Sequence, residues 1–496
     1  MNKMYSEKIT PSYKSNDKSD SNIKSTDSFF IKGMVAFLWL LFAGNLVYLA
    51  LNFKVIPNWL IGDWFRINGF TILLWTTVTF FSAIVTTYAK TYLKGFTYNI
   101  RFMIYSLGFT FSVLLVVASN HLSLLLLSWL LMGFFMANLI GVNRSWAEAK
   151  EASKFAQRYF LIGSLFLGLG LFLLAITTGN LTITGITNSV NTQPIYIKVL
   201  VAVCIIIAAL IQSAIYPFHR WLLSAMTSPT PASALMHAGF VNGSGILLAL
   251  FAAVLFASNT LNVLFIIGGL TALIAQFTKL IQVNVKQKLA CSTIAQMGFM
   301  IMQCGLGFFN AAIVHLILHG FYKSYLFLSS GEEIVKSNPK TNAKLKIQAS
   351  HILPIFLFSV LGAFLFSWWT GKGTQLDSGL FLTIIVAMTV GQATYNILKE
   401  RSLTLLQKTI LPALLFVSGI GLYALMYNGV THLMSDMPMI DSPLEMSGTQ
   451  ITFNVIFLIG FFVMKLEVYK KIPWLYVKLM NISQPYKKTV LMYKSN

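Results

Sequence analysis

Apolar stretches of about 20 residues follow one another along nearly the whole chain, separated by short polar segments. A helix needs roughly 20 apolar residues to cross a bilayer, so each stretch predicts a membrane-spanning helix. Fourteen such stretches lie at about 34–53, 70–87, 103–118, 121–141, 160–178, 198–216, 234–256, 261–283, 289–309, 310–330, 351–371, 378–398, 407–427 and 450–469. Two boundaries depend only on Ser119-Asn120 and Phe309-Asn310, so thirteen spans is an alternative. The pattern predicts an all-α integral membrane protein.

The basic residues test this count independently, because Lys and Arg are enriched in the cytoplasmic loops of membrane proteins. With the N-terminus placed inside and the spans alternating, 29 of the 36 basic residues fall on the inside. Three fall outside, namely Lys54, Arg66 and Lys372, and four lie within spans. The formal net charge of +21 is therefore mainly a signal of topology. It predicts that both termini are cytoplasmic.

Composition narrows the class of protein further. Hydrophobic residues make up 56% of the chain and charged residues 10%, whereas soluble proteins have about 25% charged residues. This excludes a soluble enzyme, a secreted disulfide scaffold and a disordered chain. A basic excess raises the question of nucleic-acid binding, but topology accounts for it here, and we predict no nucleic-acid partner. The expected location is the plasma membrane, crossed many times.

Three segments differ in composition. Residues 1–30 are mostly polar and predict a disordered cytoplasmic tail. Residues 31–470 form the predicted polytopic transporter domain. Residues 471–496 combine aromatic residues with lysines and predict an interfacial cytoplasmic tail. The three cysteines have no metal-ligand spacing and are interpreted as small apolar residues.

Ionisable groups within a membrane are costly, which makes them candidates for function. His315, His319 and Lys323 are spaced at i, i+4 and i+8 in one predicted span, so they share one helical face. Imidazole gives and takes a proton near neutral pH, and a buried lysine can also exchange one. The face therefore predicts a path for protons or water. The alternative is a hydrogen-bond network that only holds helices together.

A second candidate region surrounds two closely spaced prolines. Pro229 and Pro231 cannot both lie in a regular helix interior, and His237 lies in the predicted span that follows them. Broken helices often mark transport sites, so the region predicts either a broken helix or an ordinary cytoplasmic loop. None of the fifteen acidic residues falls in the middle of a span. The chain therefore either conducts cations past histidines and lysines alone or borrows acidic groups from a partner.

Several runs resemble the signature of the proton-conducting, antiporter-like membrane subunits of respiratory complex I and of multisubunit sodium/proton antiporters. The resemblance covers about 200–335. It is carried by Pro217-Phe218-His219-Arg220-Trp221-Leu222, Pro229-Thr230-Pro231, Ser233-Ala234-Leu235-Met236-His237-Ala238-Gly239, Lys286-Gln287-Lys288-Leu289-Ala290-Cys291-Ser292-Thr293 and the His315–Lys323 helix. Within this family, His237-Ala238-Gly239-Phe240-Val241-Asn242-Gly243-Ser244-Gly245 looks most like the membrane subunits of the DAB inorganic-carbon transporters.

The resemblance implies a fourteen-helix, antiporter-like fold with a broken helix. It implies that His237, Lys286, His315, His319 and Lys323 belong to a proton or cation path. Two positions depart from the complex I pattern. Trp129 is followed by Leu130 instead of Glu, and Gln212 stands where those subunits carry a Lys. The Lys–Glu pair attributed to pumping is therefore missing.

The resemblance also implies a function shared with another chain. This chain would be the membrane subunit of an inorganic-carbon (CO2/bicarbonate) uptake system and would conduct protons or sodium ions inward. Its partner would be a large soluble, zinc-containing, carbonic-anhydrase-like subunit of the DabA type. We predict no enzymatic activity, cofactor or metal in this chain itself. The alternatives are a subunit of a multisubunit sodium/proton antiporter and a membrane subunit of a respiratory NADH dehydrogenase.

Overall fold

The structure is a computed structural model that describes residues 19–330, 352–400, 403–465 and 468–490. The first 18 residues of the predicted tail, the basic inside segment 331–350 and the last six residues lie outside the described residues. The first helix begins at Ser19, and the division into tail and transporter domain stays a prediction.

The described chain is almost entirely helical. Its α-helices in chain order are α1 (Ser19–Asn52), α2 (Gly69–Tyr92), α3 (Asn99–Ala118), α4 (Leu122–Ile140), α5 (Ala147–Thr178), α6 (Ile183–Ser189), α7 (Ile195–Gln212), α8 (Arg220–Ser224), α9 (Thr230–Ala238), α10 (Gly243–Leu250), α11 (Ala252–Ala257), α12 (Leu261–Ile281), α13 (Val285–Gly305), α14 (Phe309–Leu328), α15 (Ile352–Thr370), α16 (Gly379–Lys399), α17 (Leu405–Leu433), α18 (Gly448–Lys465) and α19 (Pro473–Ile482). Two short antiparallel strands, β1 (Trp59–Ile61) and β2 (Phe65–Ile67), form a hairpin between α1 and α2.

Twelve helices of the described chain are long and apolar enough to cross a membrane. Two further helices, α13 and α18, also coincide with predicted spans, so each of the fourteen predicted stretches coincides with helix. Helix α13 carries Lys286, Lys288 and Gln303 and is too polar to be recognised by hydropathy alone. The prediction of an all-α, multi-pass membrane protein is confirmed. The sidedness of the termini stays a prediction.

Loops that are predicted to lie on the same side of the membrane contact each other in the structure. Backbone bridges join Phe65 to Ser119, His121 to Thr182 and Phe308 to Asp441, all in segments predicted outside or at the outer ends of predicted spans. Contacts at the opposite end join segments predicted inside, such as Lys286 with Ser228. If the span count between two of these segments were wrong by one, the two contacting segments would be predicted on opposite sides of the membrane. The alternation is therefore consistent with the tertiary structure.

The seventh predicted span is interrupted, but not at the prolines. Pro229 is the N-cap residue of α9 and Pro231 lies in its first turn, where a missing backbone N–H leaves no hydrogen bond unmade. The interruption comes later, at Gly239, where α9 ends and a short 3₁₀ turn (Phe240–Asn242) leads into α10. The chain therefore has a broken helix, and the prolines begin its first half.

Side chains of neighbouring elements satisfy the carbonyls that this interruption frees. Gln212 donates its amide N–H to the Phe240 carbonyl at 3.1 Å, and Ser213 donates to the carbonyl of Val241. Asn242 donates to the Ala238 carbonyl at 2.7 Å. An unsatisfied carbonyl at membrane depth costs several kcal/mol. The glutamine that replaces the expected lysine thus stabilises the broken helix.

The described segment after α18 contacts α5 and the region of α8. Tyr486 stacks face to face on Phe155 of α5 at 4.3 Å between ring centroids. Its backbone N–H also donates to the Ser224 hydroxyl at 2.9 Å. The Ile482 carbonyl binds His219 Nε2 at 2.8 Å. These contacts attach the segment after α18 to α5 and to the segment that contains α8.

Helices α12 and α13 pack backbone against backbone, and glycines make that approach possible. A Cβ atom on Gly298 would lie 2.6 Å from the Ala272 nitrogen and 2.7 Å from the Gly268 carbonyl oxygen. Both obstacles are backbone atoms, which cannot move aside as a side-chain end can. Close backbone packing of this kind is what small residues provide between helices in membranes.

We expect Gly298→Ala to lower the free energy of unfolding by about 2 kcal/mol, because an extra methyl group in a packed contact forces backbone shifts. The measurement is the midpoint of thermal unfolding in detergent. Gly44→Ala in α1 is the matched control, since its Cβ would meet no atom within 4 Å. Alanine there should leave stability unchanged or raise it slightly. Equal effects of the two variants would contradict the packing argument.

Candidate functional site

Three ionisable side chains of α14 form one row through the core, which we call the polar row: His315, His319 and Lys323. The rings of His315 and His319 are nearly parallel, with centroids 6.1 Å apart. His319 is buried, and Lys323 has no exposed surface at all. The side chains of His319 and Lys323 thus point into the bundle, and His315 is half-buried.

Lys323 has an unusual set of neighbours for a buried ammonium group. Its Nζ donates to the Leu289 carbonyl of α13 at 3.1 Å. Within the described part of the chain it forms no ion pair. A buried charge without a counter-ion is costly, and packing alone gives no reason to keep one. Its position at the end of the polar row favours a role in function.

His237 joins the polar row from the first half of the broken helix. Its ring stacks on Phe327, one turn after Lys323, at 4.3 Å between centroids. Its Nδ1 lies 2.9 Å from the Thr293 hydroxyl of α13. His237 is completely buried. The structure therefore brings His237 and the polar row together, from helices separated by more than 70 residues.

Lys286 lies at the start of α13 and does not contact the polar row. Asn284 caps this helix by accepting hydrogen bonds from the backbone N–H groups of Lys286 and Gln287. The Lys286 ammonium donates to the Ser228 carbonyl at 2.9 Å, directly before Pro229. Lys286 thus connects α13 to the loop that precedes α9. It lies at the end of the bundle that is predicted to be cytoplasmic.

Several buried nitrogen atoms of this region have no hydrogen-bond partner among the described protein atoms. They are Nε2 of His237, Nε2 of His315 and both ring nitrogens of His319. Buried polar atoms in stable proteins are nearly always bonded to protein or to ordered water. Imidazoles left open in this way suit a chain of water molecules that carries protons. A network made only to join helices would have paired them with each other or with backbone.

A cavity of about 330 Å³ opens at the His315 end of the polar row. His315, Gln303 and Tyr423 line it, together with apolar side chains of α15, α16 and α17. The side-chain amide oxygen (Oε1) of Gln303 is buried and has no hydrogen-bond partner among the described atoms. The cavity is large enough for several water molecules beside these polar groups.

A polar cluster, the outer cluster, lies at the end of the bundle predicted outside: Asn310, Lys372, Tyr427 and Asp441. Asn310 donates to the Tyr427 hydroxyl at 3.0 Å, and that hydroxyl lies 3.2 Å from the Asp441 carboxylate. Asp441 also pairs with the Lys372 ammonium. Tyr427 stacks on Tyr423, which reaches the cavity of His315. The chain thus has a carboxylate near one end of the candidate path.

Sequence reasoning missed this carboxylate because it searched only within spans. Asp441 lies in the loop after α17, and only the tertiary fold places it above α14. Thr293 and Phe327 were also missed as neighbours of His237. The available signal was charge complementarity, since the outside segments hold few basic residues and the loop at 434–447 is acidic. Arg66 pairs with Asp436 in the same loop, at 2.7 Å.

The cysteines agree with their interpretation as apolar residues. Cys204, Cys291 and Cys304 are free and buried. No group of three His, Cys, Asp or Glu side chains that could hold a metal ion occurs within the described ranges. The candidate site therefore consists of the polar row, His237 and the outer cluster.

Comparison with known proteins places the chain in a family. Residues 119–368 match the family described as "NADH:quinone oxidoreductase/Mrp antiporter, TM". This match covers half of the chain and contains the broken helix, Lys286, His237 and the whole polar row. The resemblance inferred from the motifs is thereby confirmed.

Relatives within the family include inorganic-carbon transporter subunits. "Probable inorganic carbon transporter subunit DabB" of Bacillus anthracis is 35% identical over 271 residues, covering 53% of this chain and 52% of that protein. DabB2 of Halothiobacillus neapolitanus is 30% identical over 408 residues, covering 80% and 67%. NADH-ubiquinone oxidoreductase chain 5 of Rhizopus stolonifer is 31% identical over 334 residues, covering 66% and 50%. The chain spans about half the length of the first relatives it matches.

Solved structures agree on the fold. The Mrp complex from Dietzia sp. contains a chain that superposes with a TM-score of 0.56 at 18% identity, covering 92% of this chain and 58% of that chain. A chain of the archaeal membrane-bound sulfane sulfur reductase superposes with a TM-score of 0.56 at 17% identity, covering 92% and 94%. This chain belongs to the antiporter-like transmembrane subunits of the NADH:quinone oxidoreductase and Mrp antiporter family, and within them it is similar to DabB subunits of inorganic-carbon transporters.

Proposed function

We propose that this chain is the membrane subunit of an inorganic-carbon uptake system and conducts protons or sodium ions inward to drive accumulation. The observation that supports conduction is the buried polar row, in which a lysine without a counter-ion follows two imidazoles with open nitrogens. The names of the relatives support carbon as the substrate class.

The proposed path begins at the outer cluster and crosses the cavity to His315. A proton bound at His315 Nε2 passes to His319 through bridging water, because the rings are too far apart for direct transfer. Lys323 first releases its ammonium proton to His237, and as a neutral amine it then accepts the proton from His319; His237 and Thr293 continue the path toward Lys286. The positive charge of Lys323 also repels other cations, which favours a proton that moves by exchange. Each group therefore holds or passes a proton along one line.

Carbon chemistry is proposed to take place in a partner chain. No residue of the candidate site resembles a bicarbonate ligand, and the polar row is suited to protons. The partner proposed is a large, soluble, zinc-containing, carbonic-anhydrase-like subunit of the DabA type. This chain itself would need no cofactor and would catalyse no reaction. Coupling of the ion flow in this chain to the carbon chemistry in the partner would then require contact between the two proteins on the cytoplasmic side.

A second candidate function is that of a subunit of a sodium/proton antiporter complex or of a respiratory NADH dehydrogenase. The fold is shared with a chain of the Mrp complex, and NADH-ubiquinone oxidoreductase chain 5 is among the relatives. Gln212 argues against the pumping versions, because it supports the helix interruption where those subunits carry an ionisable lysine.

The test is a deletion strain grown in air and in CO2-enriched air. We expect the deletion to prevent growth in air, and added CO2 to restore it, since diffusion then replaces uptake. The intact gene supplied in trans is the control. A strain that grows normally in air but fails only at high sodium would contradict carbon uptake and favour the antiporter. Failure at both CO2 levels would favour the respiratory alternative.

A further inference from the structure

A groove of about 570 Å³ lies between α19 and Arg220, the first residue of α8. Helix α19 has two different faces. Leu479 is buried against Ile281 of α12 and Tyr469, which fixes the helix to the bundle. The other face lines the groove with Trp474, Val477, Lys478 and Asn481. Because the first face packs against the bundle, the second face remains exposed in the groove.

The groove combines apolar and cationic surface. Trp474 is 68% exposed and Val477 is 55% exposed, which is unusual for large apolar side chains in water. The Lys478 ammonium lies over the Trp474 ring, 4.9 Å from its centroid. Exposed tryptophan next to lysine is typical of the headgroup level of a bilayer. The groove therefore faces the membrane interface.

The charge of the groove is positive and uncompensated. Arg220 and Lys478 form no ion pair within the described ranges, and no acidic side chain of the described chain lines the groove. His219, beside Arg220, adds no charge at neutral pH, because burial lowers the pKa of its imidazole to about 4. Two cations with an amide from Asn481 suit a phosphate group.

We propose that this groove binds the headgroup of an anionic phospholipid of the inner leaflet. Arg220 and Lys478 bind the phosphodiester, Asn481 donates a hydrogen bond, and the acyl chains lie along Trp474 and Val477. A phosphate with apolar chains matches both parts of the groove, whereas a free anion would leave the apolar part uncovered. The site is independent of the proposed ion path, because none of its residues belongs to the polar row.

The site has a consequence for the position of α19. The Ile482 carbonyl at the end of this helix binds His219, next to Arg220. A lipid phosphate that connects Arg220 to Lys478 joins the same two segments a second time. The bound lipid therefore holds the C-terminal segment against the interior of the bundle.

The experiment is native mass spectrometry of the full chain in detergent, titrated with phosphatidylglycerol or phosphatidylcholine. For Arg220→Gln/Lys478→Gln we expect the tightest phosphatidylglycerol binding to weaken about thirtyfold, with phosphatidylcholine unaffected. Lys478→Gln alone should weaken it about fivefold. The matched control is Lys487→Gln/Lys488→Gln, which removes the same charge from the same segment outside the groove and should bind like the wild type.

Two outcomes would overturn the proposal. One is equal phosphatidylglycerol affinity in the wild type and in Arg220→Gln/Lys478→Gln. The other comes from a competition arm with inorganic phosphate at millimolar concentration. Displacement of phosphatidylglycerol by phosphate would assign the groove to a free anion instead of a lipid, whereas retention supports the lipid.

Discussion

Lys323→Met is expected to abolish growth in air and to reduce carbon uptake at least about a hundredfold, the usual contribution of a positioned proton-transfer group. Methionine has nearly the same length and fills the same space, but it carries no proton. The protein should nevertheless be inserted and at least as stable as the wild type. Replacing a buried, unpaired charge by an apolar side chain removes a cost, and the Leu289 carbonyl still accepts a hydrogen bond from the Thr293 hydroxyl.

The combination of lost function and retained stability distinguishes conduction from packing. If Lys323 only held helices together, Lys323→Met would lower the thermal midpoint in detergent, and growth would fall only as far as stability does. Lys198→Met is the matched control, because Lys198 lies at the start of α7, where it contacts the Asn191 carbonyl. That variant should grow in air like the wild type. His319→Ala should behave like Lys323→Met in growth, and normal growth of both would refute the polar row as a path.

Asp441→Asn is expected to lower the free energy of unfolding by about 2 kcal/mol, since it leaves the Lys372 ammonium without its counter-ion. The Lys372 side chain is only 12% exposed and its ammonium also lies over the Phe308 ring, so water cannot fully replace the carboxylate. The same change removes an acceptor of the Tyr427 hydroxyl. The thermal midpoint of the purified protein measures the effect.

Glu445→Gln is the matched control for Asp441→Asn, because it makes the same chemical change in the same loop. Glu445 is exposed and forms no ion pair within the described ranges, so the Glu445→Gln protein should be nearly as stable as the wild type. The double variant Lys372→Met/Asp441→Leu should recover most of the lost stability, since it removes both charges together. Equal destabilisation by Asp441→Asn and Glu445→Gln would show that the ion pair contributes nothing.

The helical spans could be predicted because their signal is local. Each requires about 20 apolar residues in sequence, and the positive-inside rule then orders them. The same locality explains why the sequence left two alternatives open at the prolines, a broken helix and an ordinary loop. Pro229 and Pro231 are helix breakers only in an interior, and the sequence does not show that they stand at a helix start. The break at Gly239 depends on Gln212 and Ser213 at the end of α7. Their side chains donate hydrogen bonds to the carbonyls that the break leaves free.

The sequence by itself determined an all-helical membrane protein and the shared face of His315, His319 and Lys323, and it predicted how the spans alternate across the membrane. Helical periodicity and the cost of exposing backbone to lipid are enough for this. Only the tertiary structure decided that this face points inward, that His237 joins it and that Lys286 does not. It also decided that Asp441 lies at the outer end of α14, next to Lys372 and Tyr427. Such contacts join residues far apart in the chain, and they depend on how helices pack, which no local pattern encodes.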